Sequence, residues 1–289
     1  MKHALITGGA QGLGLALAKG LVKRGWRLTL IDRDEDQLKS AVTQLLARLE
    51  GAGEAQQATS EAHKVTSNAP EIKSESPSVQ GVSLDLLDNS ALSSWLDQAA
   101  DYDLVVNNAG ITHRSPASST TMEVFERVMA LNWRVPVRLT QGLLSGLRER
   151  KGGVIVISSM AGWLPLPGRA AYSASKSAVS QHFEVWRPEL QRQGVHLLLA
   201  YPSFLHTQIE GNALGADGKP ASHARSTVGK VQSAEAMAEQ ILTAYFKAKT
   251  RVWGSQWSSR IGYYLWALFP AIFRRLTWRK FQADIPNDY

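Results

Sequence analysis

Short runs of apolar and β-branched residues alternate along the chain with longer stretches whose apolar positions recur at helical spacing. "HALIT" at 3–7 is followed by a helical pattern over 12–24, and "RLTLI" at 27–31 by one over 34–49. "GVSL" at 81–84 leads into 88–99, and "DLVV" at 103–106 into 122–149. "GVIVI" at 153–157 leads into 171–192, and "GVHLLLAY" at 194–201 into 233–247. Strands that alternate with helices form parallel βαβ units, so the pattern predicts an α/β domain on a doubly wound parallel sheet. No internal repeat with a fixed period interrupts it.

Two segments break the rhythm. Residues 51–80 are rich in Ala, Ser, Glu and Gln and contain no aromatic residue. Such a stretch buries too little surface to order itself firmly, and it reads as a flexible surface insertion between the second helix and the third strand. Residues 203–231 are rich in Gly, Ser and His and follow the C-terminal end of a strand, the place for a substrate lid.

Where the first strand gives way to the first helix, "LITGGAQGLG" carries Thr7, Gly8, Gly12 and Gly14. Glycines let the backbone turn sharply and approach a pyrophosphate, which the helix N-terminus attracts. Close packing alone would also explain such a turn. The second strand, however, ends in Asp32, eighteen residues beyond Gly14, and an acid near that spacing can accept hydrogen bonds from an adenosine ribose diol. A helix-capping charge is the competing explanation for Asp32. Arg33 could pair with a 2′-phosphate, whereas Gln11 adds no second positive charge within the turn, so the balance favours NAD over NADP.

Composition narrows this picture. The chain has 289 residues, is 44% hydrophobic and contains no cysteine, so a packed core is expected and thiolate chemistry is excluded. "MKHALITGGA" lacks the apolar core of a signal peptide, which leads us to expect a cytoplasmic protein. The net charge is +7, and residues 240–283 hold eight Lys/Arg and no Asp/Glu, so one segment carries the excess. No nucleic-acid-binding motif accompanies that charge, and no nucleic-acid partner is expected. No His, Asp or Glu cluster has metal-ligand spacing, and no metal is expected. His113 and His206 read as solvated loop histidines near the cleft.

"AAYSASKSAV" at 170–179 sets Tyr172 and Lys176 four apart, on one helix face, among small residues. With "TGGAQGLG", "NNAG" at 107–110, Asn132, Ser159 and "YSASK" in this order, the chain resembles the short-chain dehydrogenase/reductase family, in its branch of about 250-residue chains. The likeness spans roughly residues 1–250, apart from the insertion. It implies a Rossmann-like single domain (1–254) with an aromatic and basic tail (255–289), and a homo-oligomer, dimer or tetramer.

The resemblance also implies roles. Tyr172 would be the acid or base at the substrate oxygen, Ser159 would orient that oxygen, Lys176 would favour the phenolate and bond the nicotinamide ribose, and Asn132 would hold a water linking Lys176 to solvent. The glycine turn, with Thr7, Gly8, Gln11, Gly12, Leu13 and Gly14, would take the pyrophosphate. Asp32 and Arg33 would face the ribose, Asp85 and Leu86 the adenine, and Asn107, Ala109 and Gly110 the adenosine side of the cleft. Pro202 and Thr207 would approach the carboxamide, although Ser203 stands where the family usually has glycine.

The tail "RIGYYLWALFPAIFRRLTWRKF" has an apolar run of thirteen residues, 261–273, broken by Pro270, whereas a spanning helix needs about 20. Three readings stand: an interfacial membrane contact through 260–281, a subunit contact, or a flap over an apolar substrate pocket. Each places apolar surface beside the cleft and favours a hydrophobic alcohol or ketone. The leading expectation is an NAD(P)-dependent oxidoreductase interconverting a secondary alcohol and a ketone. A non-catalytic nucleotide-binding regulator at a membrane surface, and an epimerase or dehydratase with the same Tyr–Lys pair, are the alternatives.

Overall fold

The computed structural model describes residues 1–53, 65–66, 78–205, 211–221, 231–254 and 257–281. Its centre is a parallel sheet in the order β3-β4-β2-β1-β5-β6-β7-β8. The strands are β1 (His3–Thr7), β2 (Arg27–Asp32), β3 (Val65–Thr66), β4 (Val79–Ser83), β5 (Leu104–Asn107), β6 (Gly153–Ile157), β7 (His196–Tyr201) and β8 (Arg251–Trp253). Seven strands form the body of the sheet, and the two-residue β3 edges it by pairing with Gly81 and Val82 of β4.

Burial follows the period of two that a sheet covered on both faces demands. Ala4, Ile6, Leu104, Val106, Ile155, Leu198 and Ala200 join one core layer. Their neighbours Leu5, Val105, Val154, Val156, Leu197 and Leu199 join the other. The first layer is closed by α1 (Gly12–Val22), α2 (Glu35–Gly53) and α8 (Ala234–Phe246). The second is closed by α3 (Asn89–Asp97), α5 (Val135–Gly142), α6 (Leu144–Glu149) and the long α7 (Ala170–Arg192). The protein is thus a single α/β domain of the Rossmann-like type. Its strand order reverses between β1 and β5, and ligands of such sheets bind in the crevice beyond that reversal.

The helix expected over 122–149 is divided. α4 (Met122–Met129) runs into a π turn (Ala130–Arg134) and then α5. Pro136 has no N–H to continue the i→i−4 ladder, and Val135 N reaches back five residues to Ala130 O. The wide turn carries Asn132.

Most of the expected insertion, residues 54–64 and 67–77, lies outside the described residues. Its margins are regular rather than loop, ending α2 at one side and beginning β4 at the other. Of the expected lid, 206–210 and 222–230 also lie outside them. The described part lies against the loop after β5, with Leu214 bridging His113 and Arg114 N donating to Leu214 O (2.7 Å).

The tail forms α9 (Trp257–Leu268) and α10 (Pro270–Phe281), separated only by Phe269. Phe269 N donates to Leu265 O (2.8 Å) at the end of α9, and Phe269 O accepts from Phe273 N (3.1 Å) at the start of α10. The chain turns sharply between the two helices, so that Phe273 Cε2 comes within 4.0 Å of a Cβ placed on Gly262. Among the described residues no helix is long and apolar enough to cross a membrane.

Candidate active site

The glycine turn is built by its neighbours. Gly8 and Gly12 have φ of +63° and +55°, a region that side chains disfavour. Gly8 N and Gly9 N donate to Ile31 O of β2 (2.8 and 3.3 Å). From β5, Asn108 N and Ala109 N donate to Thr7 Oγ1 (3.0 Å each), and Asn108 Nδ2 donates to Thr7 O (2.9 Å) and Gly8 O (3.0 Å). A Cβ on Gly14 would overlap the Gly8 carbonyl oxygen and come within 2.7 Å of Asn108 Nδ2. The turn is closed on its inner side by these contacts, and its outer side faces the cleft.

At the next strand end, the Asp32 carboxylate accepts from Ala10 N (3.2 Å) and Asp34 N (3.3 Å), which turns it toward the glycine loop. Arg33 follows it, exposed. After β4, Asp85 Oδ1 accepts from Leu87 N (2.9 Å) and fixes the turn that presents Leu86.

Across the sheet reversal, Ser159 follows β6, and its Oγ accepts from Ala161 N (3.2 Å), capping the short 3₁₀ turn Met160–Gly162. Ser158 does different work. Its Oγ lies 2.7 Å from Ser180 Oγ and bonds Lys176 O (3.2 Å), so it ties β6 to α7. Tyr172 and Lys176 lie on the first turns of α7. The Lys176 Nζ donates to Ile157 O (2.8 Å) and sits 5.9 Å from the centre of the Tyr172 ring. The amine is buried, and that burial pushes its pKa down to about 8.

Asn132 is clamped on three sides. Its Oδ1 accepts from Ile111 N (2.9 Å), and its Nδ2 reaches Ile111 O and Ser175 Oγ (2.9 Å each). The π turn is thereby tied both to the loop after β5 and, through Ser175, to α7.

A single cavity of about 250 Å³ joins these parts. Gly8, Gln11, Gly12, Leu13, Asp32, Arg33, Asp85, Leu86, Ala109, Gly110, Ser159, Tyr172, Lys176 and Pro202 all line it. Thr7, Gly14 and Asn132 stand behind the wall they support. Thr207 and His206 lie outside the described residues.

Two expectations need correction. Asn107, expected on the adenosine side of the cleft, is buried behind it with Nδ2 on Thr140 Oγ1 (3.1 Å); its neighbour Asn108 lines the cavity instead. Successive residues at a strand end face opposite ways, so only one of the pair can reach the cleft. His113, expected to be solvated, is fully buried beside Phe125, because the segment around Leu214 covers it. Burial, and after it the Arg169 guanidinium, pushes its pKa down to about 4.

The pocket also contains groups the sequence did not suggest. Met160, Leu166, Phe204 and Leu205 line it, together with Arg127, Arg169 and Asn212. Arg169 is buried, with Nη1 3.3 Å from Thr112 Oγ1. Its place at the N-cap of α7, three residues before Tyr172, was the only available hint.

The arrangement fits a dinucleotide. It offers a narrow glycine turn ahead of a helix N-terminus, a carboxylate beyond the second strand, and a second acidic turn for the adenine. Among the described residues no group of three or more His, Cys, Asp or Glu could hold a metal.

Comparison with known proteins agrees. A sequence model described as short chain dehydrogenase matches residues 2–59 and 49–217. The chain is 32% identical over 278 residues to dehydrogenase/reductase SDR family member 7B of Bos taurus, covering 94% of this chain and 79% of that one. Among solved structures, a short-chain dehydrogenase from Sphingobium yanoikuyae in complex with NADPH superposes with a TM-score of 0.71 at 21% identity, over 100% of both chains. The bulky-bulky ketone specific alcohol dehydrogenase from Comamonas testosteroni gives 0.70 at 17% identity, over 100% of this chain and 96% of that one. The chain belongs to the short-chain dehydrogenase/reductase family and is an NAD(P)-dependent oxidoreductase acting on CH–OH groups.

Proposed function

We propose that the protein interconverts a secondary alcohol and a ketone of hydrophobic character, with Tyr172 as acid and base and NAD(H) as the preferred cofactor. The observation that carries this reading is the convergence of Ser159, Tyr172 and Lys176 on the same cavity as Gly8, Gly12 and Asp32. A bound nicotinamide supplies or accepts the hydride. The residues of the chain do the rest. In reduction, the Tyr172 phenol donates its proton to the substrate oxygen, and the Ser159 hydroxyl donates a hydrogen bond to that oxygen. In the reverse direction the phenolate takes the proton back. A free tyrosine titrates near 10, so the reverse step needs help. The Lys176 ammonium at the edge of the ring favours the phenolate electrostatically. Asn132 ties α7, through Ser175, to the loop after β5 and so holds the helix that carries Tyr172 and Lys176 against that loop.

The preference for NAD(H) rests on Asp32, whose carboxylate at the cavity wall would repel a 2′-phosphate. Arg33 is the group that would oppose it. The hydrophobic substrate rests on Met160, Leu166, Phe204 and Leu205, which line the same cavity as Tyr172. A panel of apolar and polar ketones and alcohols, followed through reduced-cofactor absorbance with both cofactors, tests the reading. The proposal expects turnover to favour the bulky apolar ketones and NADH. Absence of turnover across the panel, or a clear preference for sugars or for NADPH, would contradict it.

A further inference from the structure

The two tail helices are apolar on an inward and on an outward side. One face turns inward: Gly262 meets Leu164, the Tyr263 ring lies 5.8 Å from Trp163 and 6.2 Å from Trp253, Phe273 is buried against Gly262 and Trp266 of α9, and Phe281 is buried. The outward side carries Ile261, Tyr264 and Leu268 on α9, in steps of three and four, and Ile272 and Leu276 on α10, in a step of four, so each helix presents an apolar stripe. All five are exposed, Tyr264 and Leu268 by 62% and 67%. Phe269, between the two helices, is exposed as well. A water-facing helix ordinarily carries polar residues at these positions.

The charge beside the stripe says what covers it. Arg274, Arg275, Arg279 and Lys280 are exposed over the last turns of α10, and no acid occurs between 240 and 283. A second copy of the chain seated helix to helix on this face would bring those cations no carboxylate from its own α9 or α10. The stripe does not close the catalytic cavity either, since no described tail residue lines it. An anionic bilayer surface answers both features. It takes the aliphatic side chains into the acyl boundary, seats Tyr264 and Trp278 at headgroup level, and attracts the cations. The two helices, each too short to cross, would lie on the surface of the membrane.

We infer that α9 and α10 form an interfacial docking element for anionic lipid surfaces. Because the inner face of α9 packs on Trp163 and Leu164, in the loop that follows Ser159, docking sets the substrate end of the domain near the bilayer. The inference concerns binding and stands whether or not the substrate is lipophilic.

Flotation of the full-length protein with phosphatidylcholine vesicles, with and without phosphatidylglycerol, tests it. The protein should float with the anionic vesicles and much less with the neutral ones, and added salt should weaken it. Leu268→Glu with Ile272→Glu should abolish flotation, and Arg275→Gln with Arg279→Gln should lower it roughly tenfold or more at low salt. Circular dichroism melts and cofactor affinity of each variant check that the domain is intact. Wild-type protein that stays at the bottom with anionic vesicles would overturn the inference. So would a glutamate variant that folds and still floats as wild type. Light scattering that shows the glutamate pair lowering the oligomeric mass would assign the stripe to a contact between copies and overturn it as well.

Discussion

The glycine turn and the tail are the two most conspicuous passages in the sequence, and they are built in opposite ways. The turn is specified from inside. Thr7 Oγ1 is held by two backbone N–H groups of the loop after β5, Asn108 Nδ2 holds two carbonyls, and Gly14 leaves no room for a methyl against Gly8. The tail is specified only by half from inside. Phe273 and Phe281 are buried on one face, while Ile261, Tyr264, Leu268, Ile272 and Leu276 stay at least half exposed. A change in the turn should therefore propagate through the fold and the cofactor site together. A change in the stripe should leave both untouched.

The largest effect is expected from Gly14→Ala. The new methyl meets backbone oxygen, which cannot swing aside, so the variant should lose more than about 3 kcal/mol of stability and bind NADH more than about 100-fold more weakly. Urea unfolding and fluorescence titration would measure both. Retention of tight NADH binding would mean that the turn does not hold the pyrophosphate.

Next comes Asn108→Ala, which strips the donors from Thr7 O and Gly8 O. A loss of about 1–3 kcal/mol is expected, with a parallel loss of cofactor affinity. Loss of stability with unaltered affinity would separate the asparagine from the site.

A third effect depends on pH. The folded-state pKa of His113, about 4, lies below its ordinary 6.5, so the stability gained from keeping it neutral is present above pH 6.5. It is lost as pH falls from 6.5 toward 4, by up to about 3 kcal/mol. Thermal melts of His113→Gln should fall less steeply than wild type across that window. Identical slopes would show that the ring is reached by solvent.

The smallest effect belongs to the tail. Leu268→Glu with Ile272→Glu should shift stability by no more than about 0.5 kcal/mol and leave turnover of a water-soluble substrate unaltered. A large drop in melting temperature would reveal a packing role that the exposure of these residues does not suggest.

How much of this was legible beforehand follows from the same contrast. The strands and their alternate burial could be read because the sheet is covered on both sides, and each apolar run answers to that burial directly. β8 could not, because three residues carry no periodicity. It is fixed instead by long-range bonds, Leu199 N to Thr250 O (3.0 Å) and Arg251 Nε to Glu184 Oε1 (2.6 Å). The π turn at Asn132 escaped because its cause is a missing donor at Pro136 combined with a clamp on Ile111, twenty-one residues earlier in the chain. His113 was misread because its cover comes from Leu214, about a hundred residues away. The Asn107/Asn108 assignment failed on parity at the end of a four-residue strand, where the pattern of burial gives no clue. Tyr172, Ser159 and Lys176 were legible because their order and spacing carry chemistry that no single one of them would.

The central claim is that the Tyr172 hydroxyl transfers the proton while the rest of the cavity binds. Tyr172→Phe removes one oxygen from a half-buried position and should leave the fold and NADH affinity intact. On any ketone the wild type reduces, kcat should fall by about 10²–10⁴-fold, with NADH affinity unchanged by fluorescence titration. A phenylalanine variant that keeps wild-type turnover at unchanged affinity would contradict the account.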